Sequence, residues 1–363
     1  MRILAALVYA ESPILIRRRR SPRGFEAVKN SIPGSTLAGA LLDVFSPGSE
    51  GYELVANGYA VADAYPVEKV NGKYRPSMPA PTATLTVKKV KEDLEPEVIS
   101  CPLLGRSARE IYERLYSYWE RMLGYYPVGI VKRIRQGTPI APLLHYPIRD
   151  SDLKYCFAAK KVNVEPSDSY DSVAISPARG NAEKEMLFTY YALPRGTLFW
   201  TLISLPDEVE PPKELIKTRL GGGKSRGYGR VRIALKELDK GVLAALRGDM
   251  EKALHGSYAV YLWSSLPALP EIALPTLPQH GWSRFLNAPK LSVPSIPPGM
   301  LLAPEDYQPY WHRLQDLLAA RVQGLAPPRG QAEPLSEENP VPATITHLAD
   351  TIDTLARETT KKP

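Results

Sequence analysis

Hydrophobic positions along the chain fall into short runs of two different periods. Residues 2–9 (RILAALVY) form an apolar run edged by polar residues, which reads as a strand. The turn Ile32-Pro33-Gly34-Ser35 leads into TLAGALLDVF, where Leu37, Leu41, Val44 and Phe45 make an apolar helix face and Ser35 or Thr36 can cap the first turn. Residues 46–105 are loop-rich, with short strand candidates and a Pro-Ser-Met-Pro-Ala-Pro run at 76–81. A helix is expected at about 108–123. Ser107 and Glu110 form its capping box, Ile111, Leu115, Trp119 and Met122 its stripe, and Gly124 its stop. Residues 171–176 and 185–204 read as strands, the second run broken at Pro194-Arg195-Gly196. A short helix near 208–219, a strand at 230–235, a helix at 239–254 and a strand at 257–264 follow.

Strand, helix, long insertion, strands, helix, strand is the order of an interrupted βαββαβ unit. The expected class is therefore α+β, with a ferredoxin-like (RRM-like) domain. Beyond it the pattern loosens, with eight prolines between residues 267 and 298, which excludes regular helix or a central strand there. A helix near 305–323 and a Pro-rich linker at 326–342 come next. The last segment, 343–360, is amphipathic, with Ile345, Leu348, Ile352 and Leu355 on one face. It packs back on its own domain, docks on a neighbouring subunit, or stays disordered. The expected division is residues 1–240 as the ferredoxin-like domain with an insertion at about 46–165. Residues 241–325 would be a smaller, less regular, degenerate RRM-like domain, and 326–363 the linker and tail helix.

Composition changes this picture in two places. Proline, 36 of 363 residues, is roughly twice typical usage. The formal net charge is +7, and it is uneven. Residues 331–363 carry six acids and three bases, so the rest carries 7 − (−3) = +10. A basic body suits a polyanionic partner. Two cysteines, Cys101 and Cys156, without a CxxC pattern, argue against a zinc site and for reduced thiols in the cytoplasm. No 18-residue apolar stretch exists to span a membrane, and the N-terminus lacks a signal-peptide pattern. Asn and Gln total only 13, a scarcity that fits a thermophile.

The candidate chemistry centres on one loop. Five of the nine residues from 221 to 229 are glycine, in Gly221-Gly222-Gly223-Lys224-Ser225-Arg226-Gly227-Tyr228-Gly229. Between Lys217 and Lys236 there are seven bases and no acid, Arg219 and Arg230 among them. Glycine lets a backbone turn tightly and approach a ligand, amide groups in such a loop can face anions, and flanking bases add charge. A phosphate backbone is the expected ligand. A Walker A loop fails because position 218 is Thr, and the dinucleotide fingerprint fails at Arg226. Arg17, Arg18, Arg19 and Arg20 form a second basic run, in a loop or hairpin. Tyr52, Tyr59, Tyr65 and Tyr74 are candidate stacking platforms for bases. None of the five histidines stands at metal-ligand spacing, and no G-x-S-x-G elbow occurs. Binding without catalysis, cofactor or metal is the expectation.

Residues 32–41 (IPGSTLAGAL) resemble the IPGS-x-[LIF]-[KR]-G-[AVT]-[LI] motif of the RAMP superfamily, the repeat-associated proteins of CRISPR effector complexes. Residues 220–231 (LGGGKSRGYGRV) are similar to that superfamily's glycine-rich loop, and 172–199 to the strand pair between the two motifs. The resemblance covers residues 1–236 and is greatest to the large RAMP of subtype III-D complexes. It implies a non-catalytic subunit that binds guide RNA (crRNA) and holds its 5′ handle in antiviral defence. Its partners would be the large polymerase-like subunit, backbone RAMP subunits and, indirectly, target RNA. Gly34, Ser35 and Thr36 would add donors at a helix N-terminus. Ala38 departs from the motif, which has Lys or Arg there, and Arg17–Arg20 could substitute. The alternatives are a general RNA chaperone, the 3′-end capping RAMP and a guide-processing endoribonuclease. The latter carries its loop near the C-terminus and a His in the early helix, whereas the first His here is His145.

Overall fold

The computed structural model describes residues 2–21, 24–27, 31–45, 53–54, 59–79, 85–87, 98–100, 140–142, 145–147, 168–175, 182–255, 257–262, 264, 266–267, 277–279, 282–283, 288–289, 293–296, 298–299, 301–302, 332–336 and 343–360. The expected helices at 108–123 and 305–323 and both cysteines lie outside them. In chain order the first strands are β1 (Arg2–Ala10), β2 (Arg17–Ser21), β3 (Gly24–Ala27), β4 (Ala60–Val61), β5 (Tyr65–Val70), β6 (Lys73–Pro79), β7 (Leu85–Val87) and β8 (Val98–Ser100). Then come β9 (Ile140–Pro142), β10 (His145–Pro147), β11 (Asp168–Ile175), β12 (Ala182–Ala192), β13 (Leu198–Leu205), β14 (Ile216–Arg219), β15 (Arg230–Glu237) and β16 (Ser257–Leu262). The last are β17 (Leu266–Pro267), β18 (Leu277–Gln279), β19 (Trp282–Ser283), β20 (Ala288–Pro289), β21 (Val293–Ile296), β22 (Leu301–Leu302) and β23 (Ala332–Ser336). The helices are α1 (Gly34–Phe45), α2 (Lys240–His255) and α3 (Ala343–Thr360).

The main sheet is antiparallel throughout, in the order β10-β6-β5-β13-β1-β15-β14, with β4 also pairing with β13. β1 is apolar almost throughout because both of its faces are buried, and a strand covered on two sides needs no polar alternation. Leu4, Ala6 and Val8 join Leu37, Ala38 and Leu41 of α1 on one face, with Phe199, Ile203, Val231 and Ile233. Ile3, Ala5 and Leu7 join Ile345, Leu348, Ile352, Leu355 and Ala356 of α3 on the other, with Tyr65 and Trp200. The tail segment is thus the second helical layer of its own chain's sheet.

Polar contacts hold that layer in register. Asn71 and Gly72 sit at φ 49° and 80°, the positive values of the tight turn that an Asn-Gly pair favours between β5 and β6. The Tyr74 amide donates to Asp353 Oδ1 at 2.7 Å, and Arg357 donates to the Gly72 carbonyl at 2.9 Å and to Asp353 at 3.0 Å. His347 Nε2 lies 2.8 Å from Asp249 on α2. Burial pushes the Asp353 carboxyl up, but the Arg357 and Tyr74 hydrogen bonds outweigh it and hold it below the usual carboxylate range. A carboxyl depressed by folding contributes stability at neutral pH that is lost as pH falls. Wild-type protein should therefore lose thermal stability more steeply below pH 3.8 than Asp353→Asn does. Parallel acid titrations of the two by circular dichroism check this; identical acid limbs would contradict it.

Several expectations shift against these elements. The helix expected near 208–219 is absent: residues 206–215 form turns and irregular chain, and Ile216–Arg219 is β14. Pro211 and Pro212 explain it, since each removes an amide donor and restricts the residue before it. Arg2 ties this loop down through two 2.7 Å hydrogen bonds to Glu210. The stretch 46–165, expected as an insertion, supplies four strands of the main sheet, β4, β5, β6 and β10. The strand expected at 171–176 starts earlier, since β11 spans Asp168–Ile175. What the structure establishes is a mixed α/β fold with an antiparallel sheet. Among the described residues, no helix is long and apolar enough to cross a membrane.

Candidate nucleic-acid interface

The glycine loop closes the hairpin between β14 and β15 at the edge of the main sheet. Leu220 N–H donates to the Gly229 carbonyl at 2.8 Å, closing the loop at its base. Inside it, Lys224–Arg226 form one turn of 3-10 helix between Gly223 at φ 68° and Gly227 at φ 88°. Gly221 and Gly229 also have positive φ, at 73° and 79°. At two of these positions space, as well as φ, demands glycine. A Cβ on Gly221 would stand 2.3 Å from the Leu15 carbonyl oxygen, and one on Gly229 would stand 2.0 Å from that of Leu220. The Tyr228 ring folds back over Gly223.

Most of the loop's amides are spent within the protein, contrary to the expectation that they face an anion. Gly222 donates to Leu15 O and Gly229 to Pro13 O, both at 2.8 Å, and Arg226, Gly227 and Tyr228 donate within the turn. The glycines make a rigid ledge, and side chains supply the charge. Lys217, Arg219, Lys224, Ser225, Arg226 and Arg230 are all exposed. The register places Arg219 directly opposite Arg230 and Lys217 opposite Arg232. Like charges facing each other across a strand pair repel. Arg232, buried, is relieved by Glu11 at 2.9 Å and by the Tyr9 ring at 4.9 Å. No carboxylate among the described residues pairs with Lys217, Arg219, Lys224 or Arg230. Arg219 instead donates to the Lys224 carbonyl at 2.9 Å, which braces the turn.

The second basic run follows in sequence the residues that pair with the loop. Arg17–Arg20 begin β2, which pairs with β3 as a hairpin. It begins two residues after Leu15, whose backbone bridges to Gly222. The helix N-terminus is different. Gly34 N–H donates to Asp63 Oδ1 at 2.7 Å, and Thr36 N–H to the Pro33 carbonyl at 2.8 Å. Gly34 is buried, and a Cβ there would stand 2.2 Å from Val61 O. Asp63 is the acid that caps α1, so the Gly34 amide is already spent and has no donor left for a phosphate. Ala38 is buried in the α1 core and its carbonyl accepts from Tyr59, so a basic side chain has no room there.

The stacking candidates also move. Tyr59 and Tyr65 are 2% and 1% exposed, and burial raises both hydroxyl pKa values well above normal. Tyr74 packs against the α3 core, and Tyr52 lies outside the described residues. Sequence reasoning missed Asp63, Ser12 and the strand nature of Ile216-Lys217-Thr218-Arg219. The alternation of that last run was the available signal.

No family model matches the chain, and no curated protein matches it. Among solved structures it is similar to a chain of a type III-B Cmr-beta complex bound to cognate target RNA. That likeness has 10% identity, covers 87% of this chain and 94% of the other, and has a TM-score of 0.46. It is similar also to oligomeric Cmr4 from Pyrococcus furiosus, at 17% identity over 66% of this chain and all of the other, with a TM-score of 0.27.

Proposed function

We propose that this chain is a non-catalytic RNA-binding subunit of the RAMP superfamily, serving a type III CRISPR effector complex by holding its guide RNA. The observation that carries the reading is the basic ladder of β14 and β15. Arg219 faces Arg230, beside exposed Lys224 and Arg226, on a ledge that only glycine can form. Opposed like charges strain the free protein and are relieved when a phosphate backbone lies over them. The order β5-β13-β1-β15, with α1 crossing over after β1, supports a ferredoxin-like unit whose second helix is replaced by a loop and β14. The finer reading puts the chain in the cytoplasm, at the 5′ handle of the guide, beside the large polymerase-like subunit. There pairing would read the target and the protein would read backbone.

Fluorescence anisotropy with single-stranded RNA carrying a repeat-derived handle tests the reading. Roughly five phosphate contacts give a log–log salt slope near −3.5. Lys224→Ala, Arg226→Ala and Arg230→Ala should each weaken binding and each reduce the slope by about 0.7. Unchanged affinity in all three would remove the proposal. Metal-independent cleavage of the RNA would replace it with a guide-processing nuclease, and equal affinity for a scrambled handle would remove the 5′ assignment.

A further inference from the structure

Residues 12–16 run between two ladders. On one side Ile14 exchanges both backbone hydrogen bonds with Leu193, each 2.9 Å. On the other, the Pro13 and Leu15 carbonyls accept from Gly229 and Gly222, both at 2.8 Å. Ser12 completes the row. Its buried Oγ accepts the Arg230 amide at 2.8 Å, while the Glu11 and Ser12 amides donate back to the Arg230 carbonyl at 2.9 and 3.2 Å. Every fixed point on this side belongs to the loop or to the first residue after it. One residue beyond the strap, at Arg17, the arginine strand begins.

Gly221 shows how tight the fit is, since its Cβ would stand 2.3 Å from the Leu15 carbonyl oxygen. A shift of the loop must therefore move the strap, and a shift of the strap must move the base of β2. Successive strand residues advance about 3.3 Å. The first arginine thus starts within two residues of the chain's contact with Gly222.

We propose that Ser12–Ile16 is a positioning strap that makes the glycine loop and the Arg17–Arg20 strand one continuous polyanion track. Ser12 sets the register between the halves without itself touching the ligand. The inference rests on the RNA-binding reading of the loop and adds the coupling between two basic elements 200 residues apart in sequence.

The test uses the full chain and the same handle RNA, with affinity measured over a range of salt. Ser12→Ala removes one acceptor and no charge. It should weaken binding about threefold to tenfold, the worth of one hydrogen bond. It should also make the salt slope shallower by about 0.7 or more, as phosphates on the β2 side lose their partners. In a background with Arg17, Arg18, Arg19 and Arg20 all changed to Ala, Ser12→Ala should have little further effect. Ser12→Thr, which keeps the hydroxyl, should restore both readouts. A general loss of folded protein would lower the active fraction and leave the slope alone. An unchanged slope in Ser12→Ala, or the same loss in both backgrounds, overturns the strap. If the loop variants Lys224→Ala, Arg226→Ala and Arg230→Ala bind as wild type does, the RNA reading itself falls and takes the strap with it. If those variants weaken binding while Ser12→Ala does not, the RNA reading stands and the strap alone is overturned.

Discussion

Ile352→Asp is expected to lower the unfolding midpoint of the isolated chain by roughly 8–16 °C. Ile352 is fully buried between α3 and the main sheet, together with Leu348, Leu355, Leu7 and Trp200. An unpaired carboxylate in an apolar core is among the few single changes that cost about 4 kcal/mol or more. Each kcal/mol moves the midpoint of a large domain by about 2–4 °C. Glu358→Gln, on the exposed side of the same helix, should stay within about 2 °C. Differential scanning calorimetry of the purified chain separates the outcomes. If Ile352→Asp melted like the wild type, α3 would not be docked on its own sheet. A helix held by a neighbouring subunit would give that result.

Gly229→Ala should disable the loop where Gly227→Ala does not. Both glycines have positive φ, 79° and 88°, so alanine at either carries the left-handed cost of about 1–2 kcal/mol. They differ in surroundings. Around Gly227 nothing lies within 4 Å of an added Cβ, whereas at Gly229 the Leu220 carbonyl oxygen blocks it. Relief of that clash opens two backbone hydrogen bonds, Leu220 N–H to Gly229 O and Gly229 N–H to Pro13 O. At about 1 kcal/mol each, these bring the total for Gly229→Ala to about 3–4 kcal/mol. RNA affinity should fall at least about tenfold in Gly229→Ala, because Arg230 and the strap shift together, and stay within about threefold in Gly227→Ala. The reverse order would mean that the loop acts through flexibility at its tip rather than through a fixed base.

Much of the element list was legible in the chain. Tail helix 343–360 matches α3, and Pro194-Arg195-Gly196 parts β12 from β13 at Gly196, whose φ is 87°. These signals are local: helical spacing of apolar side chains, and a turn that only Gly and Pro favour. The helix expected near 208–219 does not form because Pro211 and Pro212 interrupt it. The strand pair around Asn71-Gly72 carries the hairpin signature of an Asn-Gly turn.

The candidate interface divides in the same way. Gly221, Gly223 and Gly229 announced a constrained backbone, and the seven bases around them announced its charge. The role of the loop amides was not legible, because their acceptors come from Pro13 and Leu15, over 200 residues earlier. Nor was the fate of Gly34, whose amide is claimed by Asp63 from a different part of the chain. Stacking by Tyr59 and Tyr65 looked open by composition and is closed by burial. By itself, then, the sequence determined what depends on neighbours in the chain: helix faces, turn positions, the density of charge and the need for glycine. Only the tertiary structure decided what depends on distant partners. It put α3 over the second face of the sheet, set Arg219 against Arg230, and bridged Leu15, two residues before the arginine strand, to Gly222 of the glycine loop. The reason is physical: burial, register and hydrogen-bond pairing are properties of two segments at once, and a one-dimensional pattern records only one of them.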